Sequence, residues 1–279
     1  MTMANDVLER GDIYFAYRPR VEQEQVHDIE EVQRLFVILQ PSDGDHSRRL
    51  VIGRKHLPQP EEHERLWGFV DEVVGRPETV EEELERRTYD TRTRGKRTQP
   101  EARPAGEGRY AIVRHGSHTH LSYELELPEQ PGAVQQELTI EPEASYILAI
   151  KNPLAGAPAE AGLPPQQRPD LPGREQERFG RRRFTDADPE LLDQEGIEFV
   201  LIGAAHDVEE ELDVRLDTEA EDAESADIFP PTAHATREAP HGTADGGRVA
   251  LTSLPRAALL APARGDEAVG RLSRPTARS

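Results

Sequence analysis

Residues 109–127, RYAIVRHGSHTHLSYELEL, leave little choice but a β-hairpin. Gly116-Ser117 supplies a two-residue loop with glycine first, the arrangement a type II′ turn requires. Pairing outward from that loop sets His115 opposite His118, Val113 opposite His120, Ala111 opposite Ser122 and Arg109 opposite Glu124. Side chains alternate between faces along a strand. One face therefore gathers Tyr110, Ile112, Leu121, Tyr123, Leu125 and Leu127; the other gathers Arg109, the three histidines, Ser122, Glu124 and Glu126. A slip of one residue would put the leucines in water, and this pins the register. An exposed polar tip with an Arg109–Glu124 cross-strand pair is the simplest reading of the second face.

Strand signals recur on both sides of the hairpin. Gly11-Asp12 opens IYFAYR, which Pro19 stops, and segments 33–39 and 49–53 flank the turn cluster Pro41-Ser42-Asp43-Gly44. These three read as an antiparallel meander. Segments 66–74 and 145–151 are further strands, and 134–140 fits a strand or a short helix. Pro77 suits the first position of a predicted helix, PETVEEELERR. Residues 88–107 lack apolar periodicity and read as a long loop.

A second ordered block follows a Pro- and Gly-rich stretch. Asp188 and Pro189 cap and open a helix that Gly196 ends, and IEFVLIGA is apolar enough for a buried strand. Val208, Leu212 and Leu216 recur at spacing four, as on a helix, although Leu212, Val214 and Leu216 also alternate as in a strand. The expected fold class is α+β. A predominantly antiparallel β portion (8–152) joins through a connector (153–183) to a smaller helix–strand–helix block (184–228), packed on the first or separate. Residues 229–279 are expected to be a disordered tail, because they carry too little apolar surface to offset the entropy of ordering.

Charge narrows the partners. The 279-residue chain carries a formal charge of −20, and eleven acids against one arginine in 207–227 supply half of it. This argues against nucleic acid as a partner and leaves a protein partner as the expectation. A local exception spans 86–103, where seven basic residues face two acids. That loop suits phosphate or an acidic partner, including the chain's own 207–227. No cysteine occurs, which removes disulfides, thiolate metal sites and cysteine nucleophiles. No run reaches the roughly 20 apolar residues of a membrane span. With no leader-like pattern at residues 1–12, the cytoplasm is the expected location.

The histidine tip carries the sharpest chemical hypothesis. His118 and His120 share a strand face about 7 Å apart, His115 faces them across the turn, and Glu124 lies further along that face. Two or three imidazoles with a carboxylate bind Zn, Mn, Fe or Ni and leave a coordination position open. The spacing His118-x-His120-x-x-x-Glu124 resembles the first metal motif of cupins, which implies a metal-dependent β-fold enzyme using His118, His120 and Glu124, with His115 as a further ligand. The sequence departs from that motif: Ile112 stands where the leading glycine belongs, the later glycine falls one place off at Gly132, and no second motif follows.

Two other likenesses exist. Arg10-Gly11-Asp12-Ile13-Tyr14 followed by Arg34-Leu35-Phe36-Val37-Ile38-Leu39 resembles the opening of MazF/PemK-type endoribonucleases, with Leu35 in place of their proline. That resemblance implies an RNA-cleaving toxin in which Arg34 acts. RGDIYFAYRPRV, RHGSHTHLSYELELP, EASYILAIKNP and IEFVLIGA together resemble a bacterial family of uncharacterised, hypothetical proteins over roughly residues 8–228; the resemblance implies no activity. With no assembled catalytic motif, the first expectation is a non-enzymatic binding or accessory protein, with the metal enzyme and the nuclease as alternatives.

Overall fold

The computed structural model describes residues 5–23, 26, 28–75, 85–91, 95–156 and 162–218. Residues 77–84 of the helix predicted from Pro77 and the tail 229–279 lie outside the described residues; at the end predicted for that helix, Arg87 instead begins a strand. Among the described residues eleven strands are present: β1 (Asp6–Pro19), β2 (Val32–Pro41), β3 (Ser47–Ile52), β4 (Arg65–Val74), β5 (Arg87–Thr91), β6 (Gly95–Gln99), β7 (Arg103–His115), β8 (His118–Leu127), β9 (Glu143–Lys151), β10 (Phe184–Asp186) and β11 (Glu198–Ala205). The α-helices are short: α1 (Ala133–Leu138), α2 (Gly173–Phe179), α3 (Pro189–Leu192) and α4 (Val208–Leu212).

Neighbouring strands run β9-β11-β4-β3-β2-β1-β7-β8, and β8 then pairs back onto β9. The result is a closed, antiparallel, eight-stranded barrel. This overturns the expected α+β class. Among the described residues no separate helix–strand–helix block is present, because β11 is a stave of the barrel, paired with β4 through 198–202 and with β9 through 199–205. Its near-continuous apolar run suits a stave covered on both sides. The expected meander is present as β1 to β4, each pairing antiparallel with the next. The stretch read as a loop from residue 88 instead forms a two-stranded β5–β6 hairpin, followed by β7 from Arg103.

The barrel is filled by alternate residues of every stave. Ile13, Phe15 and Tyr17 of β1 point inward with Leu35, Val37 and Leu39 of β2, Tyr110 and Ile112 of β7, Leu121 and Tyr123 of β8, Tyr146, Leu148 and Ile150 of β9, and Phe199 and Leu201 of β11. Phe15 meets Tyr123 edge-on at 4.9 Å between ring centroids. The space among these rings and the leucines holds about one water and no more. At 25 cal/mol per Å², burying so many large apolar side chains is the dominant force that closes the sheet.

Outward residues are buried on part of the barrel as well. Tyr14, Ala16, Phe36, Ile38 and Val51 form an outer apolar cluster with Val74 and Ala102, and the guanidinium groups of Arg18 and Arg49 lie 5.5 and 5.6 Å from the centre of the Phe36 ring. The connector covers another part. There Lys151 of β9 pairs with Glu198 of β11, both almost fully buried, and the Leu163 N–H donates to Glu198 Oε1 at 2.8 Å.

Charged and helical pieces stop the two ends. At one end Arg48, 1% exposed, donates to Glu9 and Asp193 at 2.6 Å each, and the Tyr110 hydroxyl donates to Glu9 at 2.7 Å. Burial is tolerable for this arginine because two carboxylates share its charge. At the other end α1 places Leu138 against the core, its carbonyl accepting from Leu57 N–H at 2.9 Å.

Candidate functional site

The predicted hairpin forms with its predicted register. His115 pairs with His118, Val113 with His120, Ala111 with Ser122 and Arg109 with Glu124. Gly116 has φ +59° and Ser117 is not left-handed, as a type II′ turn demands. The inner face, Tyr110, Ile112, Leu121 and Tyr123, enters the barrel core. Arg109 does not close on Glu124; its guanidinium pairs with Asp12 on the neighbouring β1.

The outer face is covered rather than exposed. After β11 the chain turns at Asp207, whose side chain accepts from Glu210 N–H at 2.7 Å and caps α4. One and a half turns later Asp213 adopts a left-handed conformation, φ 47°, and the chain continues without regular secondary structure to Thr218, burying Val214 and Leu216 in alternation. Val208 and Leu212 of α4, with Val214 and Leu216 beyond it, seat on Ala111 and Val113 of β7, and Val7 packs at the edge. We term residues 207–218 the strap.

Beneath the strap lie the polar residues of the outer face. His120 is only 5% exposed, and its Nδ1 lies 3.0 Å from Ser145 Oγ on β9 and 3.8 Å from Glu211 Oε1 of α4. The rings of His115 and His120 are 5.8 Å apart. Burial, and then the neighbouring His115 and His118, push the His120 imidazole down to about 4. His120 is therefore neutral at pH 7. Further along, Glu124 stands directly opposite Glu143 of β9. Burial and that like charge raise the Glu124 carboxyl above its usual range, while a 3.4 Å hydrogen bond from the Thr218 hydroxyl opposes the rise.

The four predicted ligands do not converge. His115, His118 and His120 share the outer face near the turn, with His118 exposed. A shared metal would need His118, His120 and Glu124 to meet within about 2 Å of one point. Here β8 runs unbroken from His118 to Leu127, so Glu124 sits about 13 Å from His120 along the strand. Among the described residues no three His, Asp or Glu side chains are grouped to hold a metal ion. The acid that approaches His120 is Glu211, ninety-one residues downstream of it. Arg34, the residue the nuclease likeness points to, lies 3.8 Å from Asp71 on the outer wall.

Glu211, Ser145 and the strap are the parts of this site that sequence reasoning did not assemble. The signal was present in the spacing of Val208, Leu212, Val214 and Leu216, which mixes a helical step with a strand-like alternation. Both periods are real, because the strap changes conformation at Asp213. Comparison of the chain with family models, with curated proteins and with solved structures found no match in any of the three.

Proposed function

We propose that this chain is a cytoplasmic, non-enzymatic binding or accessory protein that meets a protein partner with the outside of its barrel. The observation that carries this reading is the filled interior. Small barrels that take a ligand inside leave a cavity for it, and here aromatic and branched side chains occupy that space. Recognition is left to the outer wall, where polar and charged side chains are built into covered surfaces. Among the described residues no helix is long and apolar enough to cross a membrane.

Reconstitution tests the reading. A protein captured on the full chain and then purified separately is expected to bind it at a fixed stoichiometry, while untagged chain carries sub-stoichiometric metal. Stoichiometric metal and a turnover lost in both His118→Ala and His120→Ala would replace this reading with the metal enzyme. RNA cleavage lost in Arg34→Ala would replace it with the nuclease.

A further inference from the structure

We propose that the outer face of β7, β8 and β9 is a docking groove for an acidic peptide segment with alternating apolar residues, and that the chain's own strap occupies it as a displaceable stand-in. This inference rests on the binding reading above and names the surface and the kind of partner.

The contacts between strap and groove have the character of peptide recognition. Three hydrogen bonds from groove side chains reach strap backbone, not strap side chains: Asn5 Nδ2 donates to Leu212 O, Arg10 donates to Arg215 O at 2.7 Å, and Glu143 accepts from Val208 N–H at 3.3 Å. Such contacts accept any sequence that presents its backbone there. Selectivity falls to the four apolar anchors, Val208, Leu212, Val214 and Leu216, over Ala111 and Val113. This division between backbone bonds and side-chain pockets is the general form of segment recognition. Acidic character is read from the occupant itself: the strap carries Asp207, Glu209, Glu210, Glu211, Asp213 and Asp217, and Arg10 reaches its backbone at Arg215 O.

Other features make the strap replaceable. Helix α4 has five residues, too few to persist without its seat, so the strap orders only as it docks. Closure also strands polar groups. Glu211 Oε2 and His115 Nδ1 are buried without a hydrogen-bond partner among the described residues. The strap also lies over the like-charged Glu124–Glu143 pair. A segment lacking the equivalent of Glu211 would avoid part of that cost, which gives a partner room to compete.

A labelled peptide of residues 206–218 is the probe. It is expected to bind the full chain carrying Leu212→Asp and Leu216→Asp at least tenfold more tightly than the unaltered chain, whose groove is occupied. The same peptide carrying both aspartates should not bind either chain. Equal binding to the two chains, or no binding to a double variant with a cooperative unfolding transition, overturns the proposal. Should the double variant fail to fold, hydrogen exchange on the unaltered chain decides. Strap amides should exchange at least a hundredfold faster than those of β8, and equal protection would make the strap a fixed part of the barrel. A fixed strap would end this inference and leave the binding reading intact, because reconstitution with a partner does not depend on it.

Discussion

The two faces of the β7–β8 hairpin are buried by different means. On the inner face Tyr110, Ile112, Leu121 and Tyr123 are covered by staves drawn from the whole chain. On the outer face Ala111, Val113 and His120 are covered by a single strap of twelve residues, 207–218. Inner-face contacts form only when the barrel closes, so they share the free energy of global folding. Outer-face contacts can be lost by lifting one segment. The comparison teaches that near-complete burial does not imply equal commitment to the fold.

The largest expected effect strikes the inner face. Tyr123→Ala removes a fully buried ring that meets Phe15 edge-on and stacks on Tyr146, and should cost about 3–5 kcal/mol in denaturant unfolding. A loss below 1 kcal/mol would mean that the barrel core is not where the stability lies.

Acidification should act next, through the outer face. The His120 imidazole sits near 4 in the folded chain against 6.5 in the open one. A depressed histidine binds its proton more readily when uncovered. Its neutral form is thus compatible with full stability above pH 6.5, and stability falls as pH drops from 6.5 toward 4. The loss is at most about 3 kcal/mol, reduced by the nearby Glu211 carboxylate. Protection of strap amides followed across that pH range checks it, and His120→Gln should flatten the dependence. Glu124 titrates the other way and would leave a residual slope in the variant.

A smaller effect is expected for Leu212→Ala, about 2 kcal/mol by its buried volume. The difference from Tyr123→Ala lies in where the loss appears. It should quicken exchange most in 208–216 and lower the global unfolding midpoint by less than Tyr123→Ala does. A midpoint shift equal to that of Tyr123→Ala would erase the distinction between the two faces. Gly116→Ala, which places a Cβ on a residue at φ +59°, should cost only about 1 kcal/mol and affect both faces alike.

Much of the wall was legible locally. Strands β1 to β4, β8, β9 and β11 announce themselves through alternation, apolar runs and turn residues. The β5–β6 hairpin was missed because its residues, rich in Arg and Thr, have no apolar face to betray a period. The α+β reading failed for a related reason. The capping signal at Asp188 is genuine, and its side chain accepts from Glu190 N–H; Asp207 caps α4 in the same way, accepting from Glu210 N–H. Both helices stay short: the residues after α3 lead into stave β11, and those after α4 leave the helix at Asp213 to run over the outer face.

At the site, the His-x-His spacing was real, and so was its shared face. The spacing to Glu124 could not reveal that β8 stays straight, which separates the carboxylate from the imidazoles. Nor could it reveal that Glu211 arrives from another part of the chain.

By itself the sequence determined the hairpin, from its turn type to the register of each pair, since these depend on residues within ten positions of Gly116. Only the tertiary structure decided that β8 returns to β9 and closes the barrel, and that the outer histidine face is roofed by the strap. Those outcomes rest on contacts between residues 25 to more than 200 positions apart, such as His120 with Ser145 and Asn5 with Leu212. Local alternation states which residues seek cover. It carries no information about which distant segment will supply it.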